Sequence, residues 1–254
     1  MTPLIRSSGE FCWINLLSAD PAAARRFFGA LLDWTFDEMP GMGHLVRAGG
    51  EPFAGLFDAN APGAPPGTKP TIGVMIKVDD ADATCARIRE FGGAHQPPFD
   101  IGKNLRMAVC HDPNGAKFDL FQPMAQQGMT VDGRVHGAPC WFETITSDTA
   151  RAGAFYESLF GWTPTTQQFH WGTYTTYSRA GAPVAGMMPL LPEMAPMTSH
   201  WGVYFMVRDI EESARLAPTL GGHVFVPITP IPGVGRFCGI GTAEGLAFYV
   251  LQQP

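Results

Sequence analysis

The chain repeats itself, and that repetition limits its folds more than any other feature. The run Cys12-Trp13-Ile14-Asn15 returns as Cys140-Trp141-Phe142-Glu143. At the same spacing Asp20 maps onto Asp148, Phe27 onto Phe155, Leu31 onto Leu159 and Trp34 onto Trp162. The spacing then grows by one residue, carrying Gly73 to Gly202, Asp80 to Asp209 and Gly92-Gly93 to Gly221-Gly222. It grows by one more, carrying Arg106 to Arg236, Phe118 to Phe248 and Gln122 to Gln252. Two single-residue slips along a domain's length mark one unit duplicated in tandem. The expected division is 1–123, a polar, Gly-containing linker at 124–136, and 137–254.

Each copy falls into two halves that start alike. In the first half an apolar run (11–17) leads to Asp20-Pro21, a good N-cap followed by a residue suited to the first helical turn. Ala24, Phe27, Phe28 and Leu31 then recur at helical spacing, as do Ala152, Phe155, Tyr156 and Leu159. Gly161 stands where a C-cap belongs, and Asp33 replaces it in the first copy. The second halves begin with strands at 71–78 and 201–207, followed by Asp80 and Asp209 before helices that stop at the double glycines. Pro218 is expected to kink or shorten the last helix. Short strand-like runs follow every helix. The pattern is strand, helix, about three strands, four times over, with strands apolar on both faces. A sheet covered by helices on one side and curled around a cavity on the other has this signature.

The pieces just described, with the ending Asp112-Pro113-Asn114-Gly115-Ala116-Lys117-Phe118-Asp119-Leu120, resemble the vicinal-oxygen-chelate superfamily. That superfamily includes glyoxalase I, bleomycin- and fosfomycin-resistance proteins and extradiol dioxygenases. The resemblance spans about residues 9–122 and 137–252. The duplication with Cys-Trp on the first strand is also similar to a two-domain branch labelled hydroxylase-like or culture-filtrate antigen. The resemblance implies an α+β fold: tandem glyoxalase-like domains, four βαβββ units and two open, cup-shaped barrels. It also implies a divalent metal held by His and Glu on the first and last strands of the units.

The residues at those positions are not metal ligands. Trp13 and Trp141 stand where the first His belongs, and Gly73 and Gly202 stand at its second-half equivalents. The closing-strand Glu falls at Asp119 and Tyr249, and the fourth-strand Glu falls near Leu56 and Met187. Only Asp119 can bind a metal, and a single carboxylate does not make a site. No metal cofactor is expected.

Strand alternation places Asn15 on the face of Trp13, and Glu143 on the face of Trp141. The expected ligand-lining set is Trp13, Asn15, Met75 and Asp119 in one cup, and Trp141, Glu143, Tyr204 and Tyr249 in the other. An aromatic hollow with one or two polar groups suits a flat organic molecule. Side chains that simply plug the barrels give the same pattern. Glu143, Tyr249 and His200 are the candidate acid–base groups, with Arg236 or His200 as a partner for Glu143. Arg106 and Arg236 either anchor loops by capping carbonyls or meet an anionic ligand. The stretch 62–67, Pro-Gly-Ala-Pro-Pro-Gly, reads as a loop or connector.

A formal charge of −6 without a Lys/Arg cluster argues against nucleic acid as a partner. No apolar run is long enough to span a membrane and no secretory signal is visible. Five cysteines without CxxC spacing read as reduced thiols in a cytoplasmic protein. The expected function is therefore a metal-free binder of a hydrophobic or aromatic small molecule, as monomer or homodimer. The alternatives are a glyoxalase- or hydroxylase-like enzyme and a protein with filled barrels.

Overall fold

A computed structural model describes residues 5–62, 64 and 67–254; Gly63, Pro65 and Pro66 of the Pro-Gly stretch lie outside the described residues. The first copy runs β1 (Phe11–Ser18), α1 (Pro21–Leu32), β2 (Thr35–Met39), β3 (Gly43–Ala48), β4 (Glu51–Asp58), β5 (Thr71–Lys77), α2 (Ala81–Glu90), β6 (Ala94–His95), β7 (Phe99–Ile101), β8 (Leu105–His111) and β9 (Lys117–Pro123). The second runs β10 (Pro139–Thr146), α3 (Thr149–Phe160), β11 (Thr163–Phe169), β12 (Gly172–Arg179), β13 (Ala182–Pro189), β14 (His200–Met206), α4 (Ile210–Thr219), β15 (His223–Ile231), β16 (Gly235–Gly241) and β17 (Ala247–Gln252). Each copy builds its own sheet, in the orders β2-β3-β4-β1-β5-β9-β8-β6, with β7 on β8, and β11-β12-β13-β10-β14-β17-β16-β15. The first strands of the two halves, β1 with β5 and β10 with β14, lie antiparallel at the middle of each sheet. This is the α+β architecture that the resemblance implies.

The helices form where the caps direct them. The Asp20, Asp80, Asp148 and Asp209 side chains each accept from the backbone N–H three residues on, satisfying an otherwise orphaned donor. Asp33 and Gly161 both close their helices in the left-handed conformation. Pro218 does not shorten α4, which is as long as α2 at 10 residues. It lies in the last turn, so no further turn of helix follows the interruption. Among the described residues Arg106 and Arg236 cap no backbone carbonyl: Arg106 pairs with Asp82 at 2.7 Å and Asp100 at 2.8 Å, and Arg236 pairs with Glu211 and donates to Gln252 Oε1. In each copy this arginine ties the penultimate strand to the first turn of the second helix. All five cysteines are free thiols, and all but Cys140 are fully buried.

The two copies interlock about a pseudo-symmetric seam. Phe11 and Phe142, from the two first strands, stack at 4.1 Å. Trp34 Nε1 donates to the Gly137 carbonyl at 2.7 Å, and its repeat partner Trp162 donates to Gly9 O at 2.8 Å. Each copy's closing turn reaches the other copy's first helix: Asn114 Nδ2 donates to Asp148 O, and the Glu244 carboxylate accepts from Ser18 Oγ and Ala19 N–H. The helix-facing side of each sheet is thus shared core, with Phe28 of α1 packed against Phe248 of β17, and Phe155 of α3 against Phe118 of β9. The 124–136 segment is no loose tether. Met129 and Val131 are buried, and Met129 N–H bonds Cys12 O at 2.7 Å.

Candidate functional site

The opposite, concave face of each sheet carries the expected site residues. In the second copy, register puts Glu143 of β10 beside Gly186 of β13 and Gly202 of β14, and Tyr204 of β14 beside Tyr249 of β17. Tyr204 donates its hydroxyl to Glu143 Oε1 at 2.9 Å. The Tyr174 hydroxyl of β12 accepts from Trp141 Nε1 at 3.0 Å and lies near enough to the carboxylate to favour its ionised form. Tyr204 and Tyr249 stack at 4.6 Å, with Phe237 and Phe225 around them. Ile145 and Leu251 complete the floor, with Met188 and Leu190 packed beside it.

This arrangement sets the charge state of the site. Burial pushes the Glu143 carboxyl above the usual carboxylate range, against the neighbouring Tyr174 and Tyr204 phenols that favour its ionised form. Burial also raises the Tyr249 phenol to about 12, so it stays protonated at neutral pH. Glu143 is only 5% exposed. The part-exposed side chains at the mouth are Trp141, Tyr174, Trp171 and Phe237. Phe169 and Trp171 stack at 5.0 Å and meet Tyr174 edge-on.

Two glycines make the network possible. A side chain at Gly186 would collide with the Tyr174 hydroxyl and stand 2.9 Å from Trp141 Nε1. One at Gly202 would stand 3.0 Å from the Tyr249 ring. Replacing Gly186 with Ala is expected to swing Tyr174 off Glu143, at a cost of about 1 kcal/mol. The check is a urea melt together with tryptophan emission, which reports the lost Trp141–Tyr174 contact. An unchanged emission spectrum would contradict the assigned path of Tyr174 across β13.

The first cup has the same plan with the polar groups exchanged. Asp119 of β9 lies beside Met75 of β5, and Asn15 of β1 beside Gly73. Asn15 Nδ2 donates to Met75 Sδ at 3.3 Å, and the amide lies near enough to the carboxylate to favour its ionised form. Asp119 Oδ1 is buried with no hydrogen-bond partner; the Lys117 ammonium stands 3.9 Å away. Burial raises the Asp119 carboxyl to about 6. Thus a carboxylate on the last strand with an amide on the first becomes, in the other copy, a carboxylate on the first strand with a phenol on the last. Trp13, Met75 and Asp119 are 5%, 1% and 2% exposed, so the floor of this cup is packed by its own side chains.

Some expected placements differ. Leu56 and Met187 face the helices, because their partners across the sheet are Leu16 and Thr144 of the core side. The concave positions of those strands are Gly55 and Phe57, and Gly186 and Met188. Neither Arg236 nor His200 meets Glu143: Arg236 lies on the helix side against Glu211, and His200 Nδ1 is 2.7 Å from Thr198 O. Tyr174 takes the role expected of them. Alternation in Thr173-Tyr174-Thr175-Thr176-Tyr177 hinted at a face for it, but only the register through β13 brings it to β10.

A profile of the glyoxalase-like domain matches residues 13–121. A protein named "Putative glyoxylase CFP32" in Mycobacterium tuberculosis is 34% identical over 247 residues, covering 94% of this chain and 93% of that one. The chain belongs to the glyoxalase-like family of the vicinal-oxygen-chelate superfamily. The Streptomyces sp. protein DauV, named for anthracycline biosynthesis, is 31% identical over 259 residues, covering 96% and 93% of the two chains. Among solved structures, the 2,2',3-trihydroxybiphenyl 1,2-dioxygenase of Sphingomonas wittichii superposes with a TM-score of 0.68 at 12% identity, over 97% of this chain and 91% of that one. The Mn(II)-bound glyoxalase of Novosphingobium aromaticivorans gives 0.65 at 13% identity, over 96% and 82%. These two likenesses show the fold.

The donor set of either cup does not fit a divalent metal of the kind that glyoxalase holds. One carboxylate faces each concave surface at the register positions above, surrounded by an amide, glycines, a thioether and phenols. Among the described residues no three His, Cys, Asp or Glu side chains converge. A metal held by one carboxylate would keep most of its shell as water, in a cup whose walls are apolar. No helix among the described residues is long and apolar enough to cross a membrane.

Proposed function

We propose that this glyoxalase-like protein binds a flat, hydroxylated aromatic molecule at the second cup without a metal, and acts by holding it. The observation that carries this reading is Glu143: a buried carboxylate hydrogen-bonded by Tyr204, with Tyr174 beside it, at the floor of a cup walled by aromatic rings. Such a wall favours stacking and edge contacts with a planar ligand. The carboxylate with its phenols offers one acceptor and adjustable donors to a ligand hydroxyl or ketone. The part-exposed Trp141, Trp171 and Tyr174 supply an entry rim. The anthracycline naming of DauV supports a fused-ring aromatic as the ligand class.

A second reading has a specific observation behind it. A carboxyl raised by burial inside a cup is a competent general base, so Glu143 could take a proton from an acidic C–H or O–H of the bound molecule. The putative-glyoxylase naming of CFP32 is consistent with that.

One experiment separates the two. The full chain is titrated with 1,8-dihydroxyanthraquinone, followed by tryptophan quenching, with either chelator or added Mn(II), and the ligand is recovered and analysed. Expected are saturation at one equivalent, indifference to chelator and metal, and unchanged ligand. Tyr204→Phe, which removes one hydrogen bond to the carboxylate, should weaken binding by about tenfold, the equivalent of 1.4 kcal/mol. Chelator-sensitive conversion of the ligand would overturn the metal-free reading. Chelator-insensitive conversion abolished by Glu143→Gln would favour the proton-transfer reading.

A further inference from the structure

The seam between α2 and the C-terminal end of α3 holds a cleft of about 350 Å³, away from both cups. Its lining includes Ser8, Val78, Thr84, Arg87, Phe160 and Arg179. Arg87 Nη2 donates to Ser158 O, and Arg179 Nη1 donates to Phe160 O at 2.6 Å, so both guanidiniums are anchored on the last carbonyls of α3. A guanidinium has five donors, so most of those on each arginine are left for the cleft. Among the described residues, no carboxylate lies within ion-pair distance of either arginine. Two full positive charges outweigh the roughly half negative charge of a helix C-terminus.

The duplication supplies an internal control. The other seam, at the C-terminal end of α1, has the same tryptophan latch, with Trp34 on Gly137 in place of Trp162 on Gly9. There the helix ends on Asp33, in the left-handed conformation at φ 55°. Its carboxylate meets Arg208 at 3.3 Å and His136 at 3.8 Å. At the equivalent position of the first seam stands Gly161, at φ 67° and without a side chain. A Cβ there would lie 3.7 Å from Arg179 Nη1. One seam therefore sets its own carboxylate beside Arg208; the other brings in Arg87 and Arg179, whose counterparts in the repeat are Leu216 and Ala48, and has no carboxylate at the helix end.

We propose that the Arg87–Arg179 cleft binds a small anion, a carboxylate or phosphate group carried by a metabolite, in the place that Asp33 fills at the other seam. Planar guanidiniums suit both groups through paired N–H bonds. A cleft of this volume admits the anionic group together with a small organic body. Since the net charge of the chain is −6, local geometry rather than long-range attraction must supply the binding.

The test measures thermal stability of the full chain against rising inorganic phosphate or succinate, with ionic strength held constant by chloride. Expected is a saturable rise in Tm with one of the two, which also says whether phosphate or carboxylate is preferred. Arg179→Ala should weaken the half-saturation concentration by at least tenfold. Gly161→Asp keeps both arginines and copies the helix end that Asp33 already forms, so it should fold and should abolish the saturable rise. No rise beyond chloride in the parent protein would overturn the proposal. So would an unchanged half-saturation concentration in Gly161→Asp.

Discussion

Replacing Asp119 with Asn should stabilise the protein above pH 6 by about 3 kcal/mol and leave it unchanged below about pH 4. The folded carboxyl titrates near 6, against 3.8 for an ordinary aspartate, because it is buried at the floor of the first cup. Between those values the native state holds more protons than the unfolded chain, so stability falls as pH rises through the window. The contribution of protonated Asp119 is complete below the unfolded value and lost above the folded one. Two pKa units correspond to about 3 kcal/mol. Asn keeps the shape and never ionises, so it removes the loss. The orphaned Oδ1 supports this, since an ionised oxygen without a hydrogen-bond donor is costly in such surroundings. The measurement is urea unfolding of both proteins from pH 4 to 8. Parallel curves would show that Lys117, 3.9 Å away, already compensates the charge.

The second large effect is expected at Phe28. Its ring is fully buried and lies 4.6 Å from Trp34 in its own copy and 5.3 Å from Phe248 in the other. Truncation to Ala loses the burial of the ring and leaves a cavity that rigid strands on both sides cannot close, a cost of about 3–5 kcal/mol. For a chain of this length that lowers Tm by on the order of 10 °C. The seam makes a sharper statement. Since α1 packs on the second sheet and α3 on the first, the whole chain should melt in one transition at the lowered temperature. Circular dichroism and tryptophan emission should trace the same curve. A second transition remaining at the parental temperature would mean that the copies fold independently.

The fold was readable because its signals are local or periodic. Asp20, Asp80, Asp148 and Asp209 announce helix starts by a side chain that satisfies its own backbone three residues on. The stripe of Ala24, Phe27, Phe28 and Leu31 is the face that α1 buries. Duplication then let each copy confirm the other. Strand alternation likewise sufficed to put Trp13 and Asn15, and Trp141 and Glu143, on one face, since the period of a strand is two.

What each side chain meets on that face was decided by tertiary structure. Glu143 finds phenols rather than His200 or Arg236, because Tyr174 arrives from two strands away through the gap left at Gly186. Nothing within a few residues of any of them encodes that register. The same holds for the seams: Asp33 and Gly161 both read as interchangeable helix ends. Only the packing of one copy on the other shows that the first carries its carboxylate to Arg208 and His136 and that the second ends beside Arg87 and Arg179 with no carboxylate. By itself the sequence determined the duplicated unit, its helices and strands, and which residues share the concave faces, because those follow from short-range hydrogen bonding and periodicity. The charge environment of Asp119 and Glu143, the phenol network and the arginine cleft depend on residues far apart along the chain, and only the folded chain brings those together.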